Sequence, residues 1–192
     1  MQYVWDISQI VEEYAIIGIY PNYIGELIMK TCCFTGHRIM KITPELILRL
    51  KAAIIDVIGN GVTDFYDGGA IGWDMLCAET VIDLKAKYPD IKLHMLLPCP
   101  SEEQVKGWNN TQIARYEKIL NVADSVTVVS EHYTRDCMKQ RNERLVELAD
   151  HCICYCTNPR SGTGQTVRMA EEKRITVKNM FKNDSVVQQM NI

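Results

Sequence analysis

The stretch TDFYDGGAIGWDMLCAETVIDLKAKY, residues 63–88, holds the pattern on which the fold turns. Its first four residues, Thr63 to Tyr66, form a short β-prone run. The run stops at Asp67-Gly68-Gly69, a turn signal. Beyond the glycines Ile71, Met75, Ala78 and Ile82 recur at helical spacing, so residues 71–88 read as an amphipathic helix. Strand, glycine turn and helix make the first part of a βαβ unit.

The alternation continues in both directions. Upstream, 31–35 reads as a strand and 44–60 as a helix, with Leu46, Leu50, Ala53, Ile54, Val57 and Ile58 on one face, Pro44 in its first turn and Thr43 as cap. Downstream, strands are expected at 91–97, 125–129, 152–155 and 175–177. Helices are expected at 111–122, 136–149 and 164–173. The stretch 98–108, with two prolines and a glycine, reads as a loop. Strands alternating with helices imply right-handed crossovers and a parallel sheet. The expected class is α/β, a Rossmann-like doubly wound, mainly parallel sheet with helices on both faces. Residues 1–29 differ: Ile7, Ile10, Val11 and Tyr14 recur at helical spacing, and Pro21-Asn22 interrupts them. They read as an N-terminal helical extension that needs a surface to bury its stripe. The expected organisation is therefore an extension at 1–29, a nucleotide-binding domain at 30–182 and a flexible tail at 183–192.

Composition narrows the partners. The 192 residues carry 21 Lys and Arg against 24 Asp and Glu, a net charge of −3. No global field draws such a chain to nucleic acid or anionic membrane. No apolar run approaches the ~18 residues of a membrane span. The first Lys or Arg is Lys30, so the cationic start of a secretory signal is missing and a cytoplasmic protein is expected. The eight cysteines form no CxxC pair. Cys152, Cys154 and Cys156 alternate, which places them on one face of a strand as reduced core residues and not as a zinc site. No metal and no cofactor is expected, and His94, His132 and His151 read as structural.

In doubly wound sheets, ligands bind beyond the carboxyl ends of the strands. After the first strand comes Thr35-Gly36-His37-Arg38, where a glycine permits close approach and two side chains offer donors to a phosphate or base. After the second come Gly68, Gly69 and Gly72 at the start of a helix, where backbone amides and the helix dipole favour an anion. Asp74 follows in the first helical turn, placed to accept from a ribose hydroxyl or to stabilise the helix end. In the helix after the fourth strand, Arg141 lies four residues before Leu145, near the buried side, and Asn142 follows it. A guanidinium there needs a partner, either an internal carboxylate or a ligand phosphate or ribose. After the fifth strand, Ser161, Gly162, Thr163, Gly164 and Thr166 form a second glycine and hydroxyl loop at a helix start, with Ser161 or Thr163 as cap.

Taken together, CCFTGHR (32–38), YDGGAIGWDMLCAE (66–79), LLPCP (96–100), RNERLVELAD (141–150) and SGTGQT (161–166) resemble the YpsA-like branch of the SLOG superfamily. That superfamily also includes the DNA-processing protein DprA and the LOG phosphoribohydrolases, which release cytokinin bases. The resemblance covers about residues 30–180. It implies a Rossmann-like fold that binds nucleotides or nucleotide-derived ligands, often as a homodimer. It implies that Gly68, Gly69 and Gly72 form one phosphate loop and residues 162–166 the other. The LOG enzymes carry Gly-Gly-x-Gly-Thr-x-x-Glu at the second loop, and the Glu position here is Thr166. A hydroxyl cannot replace a carboxylate beside an oxocarbenium-like centre.

The expected function is a binding module that senses or sequesters a nucleotide, an ADP-ribose or an NAD-like ligand, with no catalytic residue assigned. The expected assembly is a homodimer or higher homo-oligomer that stays off membranes. The alternatives are a nucleoside-5′-monophosphate N-glycosidase using Arg141 and Asp74, and single-stranded DNA binding like that of DprA.

Overall fold

The computed structural model describes residues 30–181. The expected extension at 1–29 and tail at 183–192 lie outside them. Six strands form one wholly parallel sheet: β1 (Lys30–Gly36), β2 (Val62–Asp67), β3 (Lys92–Leu97), β4 (Ser125–Val128), β5 (His151–Tyr155) and β6 (Thr176–Asn179). Between them run α1 (Pro44–Gly59), α2 (Trp73–Leu84), α3 (Ser101–Gln104), α4 (Asn110–Val122), α5 (Cys137–Glu147) and α6 (Gly162–Glu172). The strand order is β4-β3-β2-β1-β5-β6. The chain winds outward from β1 through β4, then crosses back to place β5 beside β1. The Rossmann-like expectation holds, and the reversal of strand order falls between β1 and β5.

Strand periodicity sorts the core into two layers. Cys32 and Phe34 of β1, Phe65 of β2, Leu93, Met95 and Leu97 of β3 and Ile153 of β5 face α1, α2 and α4. Cys33, Leu96, Cys152 and Cys154 face α5 and α6. Each fully buried large side chain in these layers contributes about 1.5–3 kcal/mol relative to exposure. All eight cysteines are free and buried, and the thiol of Cys32 is pushed up by its burial.

The termini of the helices follow local chemistry. Thr43 caps α1 by accepting from the Leu46 amide at 3.2 Å, with Pro44 just inside. Asn109 and Gln112 form a reciprocal capping box on α4. One expectation is corrected. The 98–108 stretch is not only loop, because Ser101–Gln104 forms a single helical turn. That turn buries Gln104, whose side chain donates to the Gly69 carbonyl at 2.8 Å. Across the outer strands, His94 bonds both Asp64 and Ser125 at 2.7 Å, tying β2, β3 and β4 together.

Candidate functional site

The switch point between β1 and β5 opens a cavity of about 260 Å³ at the carboxyl edge of the sheet. Four segments wall it. The β1 end supplies Thr35, Gly36, His37 and Arg38; the β2–α2 turn supplies Ala70 and the first turn of α2 supplies Asp74. Helix α5 supplies Met138, Arg141 and Asn142, and the start of α6 supplies Ser161, Gly162 and Thr163.

The register explains this convergence. Gly36 at the end of β1 pairs with Tyr155 at the end of β5, so the loops leaving the two strands run side by side. His37 locks them: its Nε2 accepts from the Thr157 amide at 2.9 Å. Nε2 therefore serves as the acceptor that joins the two loops. Arg38 is exposed and reaches over the cavity, with Nη2 3.8 Å from the Met138 sulfur.

Beneath the cavity lies a buried charge cluster. Arg141 is 5% exposed, and its Nη1 donates to Asp74 Oδ2 at 3.2 Å. Asp74 also accepts from the Ala70 amide at 3.3 Å. Burial raises the Asp74 carboxyl above the usual range, and Arg141 opposes that rise. Asp67 is fully buried; its Oδ1 accepts from the Gly69 amide at 2.7 Å. Burial, then the neighbouring Asp74 charge, push Asp67 well above the ordinary carboxylate range. Two atoms of the cluster, Asp67 Oδ2 and Arg141 Nε, have no hydrogen-bond partner among the described residues. Such orphans are uncommon among buried polar groups. Arg141 thus meets the internal carboxylate considered for it and still borders the cavity.

The two glycine loops differ in kind. At α6, Ser161 caps the helix through the Gly164 amide at 3.1 Å. The Gly162 and Thr163 amides take no partner among the described residues, as expected of a first helical turn facing a cavity. A Cβ at Gly162 would meet open space. In the turn before α2 the Gly69 and Ala70 amides are already engaged by Asp67 and Asp74, and the first amide of the helix, Trp73, donates to the His37 carbonyl. The glycines there answer to internal packing. A Cβ at Gly68 would fall on the Arg141 guanidinium, and one at Gly72 would lie 2.6 Å from the His37 carbonyl oxygen. Gly69 and Gly72 also hold positive φ, 67° and 87°, which glycine tolerates best.

Of the expected residues, Thr35, Gly36, His37, Arg38, Asp74, Arg141, Asn142, Ser161, Gly162 and Thr163 meet at the cavity. Gly68, Gly69 and Gly72 sit behind it. Gly164 packs against Pro159, and Thr166 is fully buried with its hydroxyl donating to the Gly162 carbonyl at 3.1 Å. Two lining residues were missed. Met138 lies one turn before Arg141 on the same helix face, a spacing that would have found it. Ala70 carries no polar signal. Glu79, a carboxylate near the first loop, is held by Arg115 through two bonds of 2.9 and 2.7 Å and does not line the cavity. Trp108 packs edge-on against Tyr116, with ring centroids 5.3 Å apart.

Comparison with known proteins agrees with the architecture. The sequence model of the YspA SLOG family (YpsA) matches residues 35–189. The uncharacterized SPbeta prophage-derived protein YoqJ of Bacillus subtilis (strain 168) is 29% identical over 142 residues, covering 65% of this chain and 82% of YoqJ. A UPF0398 protein of Bacillus thuringiensis (strain Al Hakam) is 24% identical over 132 residues, covering 68% of this chain and 71% of the relative. Among solved structures, DNA processing protein A of Helicobacter pylori, described for its single-stranded DNA binding mode, aligns with a TM-score of 0.55 at 18% identity. DprA of Streptococcus pneumoniae aligns with a TM-score of 0.56 at 15% identity. The alignments cover 77% and 80% of this chain but only 63% and 51% of those two, so the likeness is one of fold.

Proposed function

The chain belongs to the YspA SLOG family, and from that premise we propose that it is a binding module for a nucleotide-derived anion. One observation carries the reading. Gly162 and Thr163 with their partnerless amides, Arg141 with its guanidinium and the exposed Arg38 all line one cavity at the switch point. Helix-start amides and a guanidinium are the groups that hold a phosphate. The volume, about 260 Å³, lies below the range of roughly 300–1,000 Å³ usual for larger ligands. It suits one sugar-phosphate unit, with the base or second half of an ADP-ribose or NAD-like ligand lying over the rim beside Arg38. In this reading Asp74, already bonded to Arg141, also accepts from a ribose hydroxyl. The eight unpaired thiols suit a reducing cytoplasm, and no helix among the described residues is long and apolar enough to cross a membrane. A homodimer is the assembly we expect.

Nucleotide N-glycosidase activity finds less support. Thr166 is buried at the position where LOG enzymes carry their carboxylate, and the carboxylate at the cavity, Asp74, is bonded to Arg141. The test is a thermal-shift panel of AMP, ADP-ribose and NAD, with AMP mixtures also examined for free adenine. Stabilisation without base release supports the module by ligand linkage. Turnover of AMP to adenine supports the glycosidase. Salt-dependent retention of single-stranded DNA, with no response to the small ligands, supports the DNA-binding alternative.

A further inference from the structure

Around the start of α1 the described body leaves an apolar surface bare. Ile39 is 93% exposed, Leu48 67%, Ile42 43% and Ile47 39%. The inward side of α1 is occupied by Leu46, Leu50, Ala53, Ile54 and Val57, so Leu48 belongs to its outward side. Scattered apolar residues on a surface are ordinary, but four within ten positions form a patch. Its rim is cationic: between residues 38 and 55, Arg38, Lys41, Arg49 and Lys51 stand against Glu45 alone. The Arg49 Nε is buried and takes no hydrogen bond among the described residues, with the Glu45 carboxylate 3.8 Å away.

A segment of complementary chemistry lies in the same chain. Residues 1–29 contain Asp6, Glu12, Glu13 and Glu26 and no Lys or Arg. Ile7, Ile10, Val11 and Tyr14 recur there at helical spacing, with Glu12 and Glu13 on the other side. The point of attachment fits as well. The Lys30 amide donates to the Gly61 carbonyl at 3.4 Å, two residues past the end of α1. A chain traced backward from β1 therefore leaves beside the C-terminal end of α1. That helix has 16 residues. At a rise of ~1.5 Å per residue it is ~24 Å long, so a helical stretch of similar length reaches from the attachment point to Ile47 and Leu48. The 29 residues cover that span and leave enough for the break at Pro21-Asn22.

We propose that residues 1–29 pack back along the outer side of α1, with their apolar stripe on Ile42, Ile47 and Leu48 and their carboxylates toward Lys41, Arg49 and Lys51. The docking is independent of what the cavity binds. Limited chymotrypsin digestion of the full chain tests it, since the segment offers Tyr3, Trp5, Tyr14, Tyr20 and Tyr23. Leu48→Asp puts a charge into the patch at an exposed position. Cleavage within 1–29 is expected to rise about 10-fold or more, because proteolysis tracks the open population. Lys51→Glu is expected to raise it in the same direction without touching the apolar contact. Val128→Asp, at an exposed position on β4, is the control and is expected to match the parent protein. Equal cleavage in parent and Leu48→Asp overturns the proposal, as does equal acceleration by Val128→Asp. If Leu48→Asp instead splits an oligomer in light scattering while cleavage within 1–29 is unchanged, the patch is an interface between copies and the proposal fails.

Discussion

Gly68→Ala isolates the buried cluster beneath the cavity. The added methyl would fall on Arg141 Nη1. The guanidinium must then retreat by roughly 2 Å or more to regain a normal heavy-atom separation. The neighbouring cavity gives it room, but the 3.2 Å bond to Asp74 is lost. Asp74 would keep only its long bond to the Ala70 amide while remaining almost fully buried. Stripping one partner from a buried pair costs about 3–5 kcal/mol, and the lower end applies where the freed cation regains water. For a chain of this size about 3 kcal/mol corresponds to a Tm decrease of about 6–12 °C. Differential scanning calorimetry of the parent and Gly68→Ala measures it. The same variant should lose ligand-induced stabilisation, since the displaced guanidinium occupies the cavity. A Tm within 2 °C of the parent, by the same scale of about 2–4 °C per kcal/mol, would show that Arg141 does not hold this position.

Other perturbations probe separate links. Asp67 has a folded pKa raised by burial and by Asp74, so its stabilisation is complete in acid and declines as pH rises from the ordinary carboxylate range through the folded value. Asp67→Asn should therefore gain Tm relative to the parent as pH increases from 4.5 toward 8; a difference independent of pH contradicts a buried titrating carboxyl. Arg141→Lys retains the charge but loses the planar fork, so ligand affinity should fall about 10-fold or more in a calorimetric titration; unchanged affinity would remove Arg141 from the site. Thr43→Ala should destabilise by about 1 kcal/mol through loss of the α1 cap, measured by urea unfolding, with ligand binding unaltered.

The order of strands and helices was legible in the sequence because their periodicities differ. Cys32 and Cys33 fall in opposite layers, as alternation requires. Strand neighbours were not legible in that way: periodicity reports which face is buried, not which strand lies alongside. The helical turn at α3 was hidden by Pro98, Pro100 and Gly107, which signal a loop, and its purpose shows only in the contact from Gln104 to Gly69. The glycine loops show the same limit at the site. A glycine announces that space is needed, but not what fills it. At Gly162 the space is open to the cavity, whereas at Gly68 the chain's own Arg141 fills it and at Gly36 the Trp73 side chain does. Arg141 was legible as a buried cation needing a partner, because its helix pattern fixed its face. That Asp74 supplies the partner depends on the start of α2 and the middle of α5 coming together at the carboxyl edge of the sheet, which no local pattern encodes.

Gly162→Asp tests the anion site most directly. The position begins α6, where a carboxylate is compatible with the helix dipole, and a Cβ there meets nothing within 4 Å. The fold should therefore be undisturbed while a negative charge enters the place assigned to a phosphate. Isothermal titration of the parent and this variant with AMP and ADP-ribose is the measurement. The expected result is saturable binding to the parent by at least one of the two and none detectable to a variant of unchanged Tm. Equal binding by both proteins, or no binding of either ligand to the parent, would contradict a phosphate held at the start of α6.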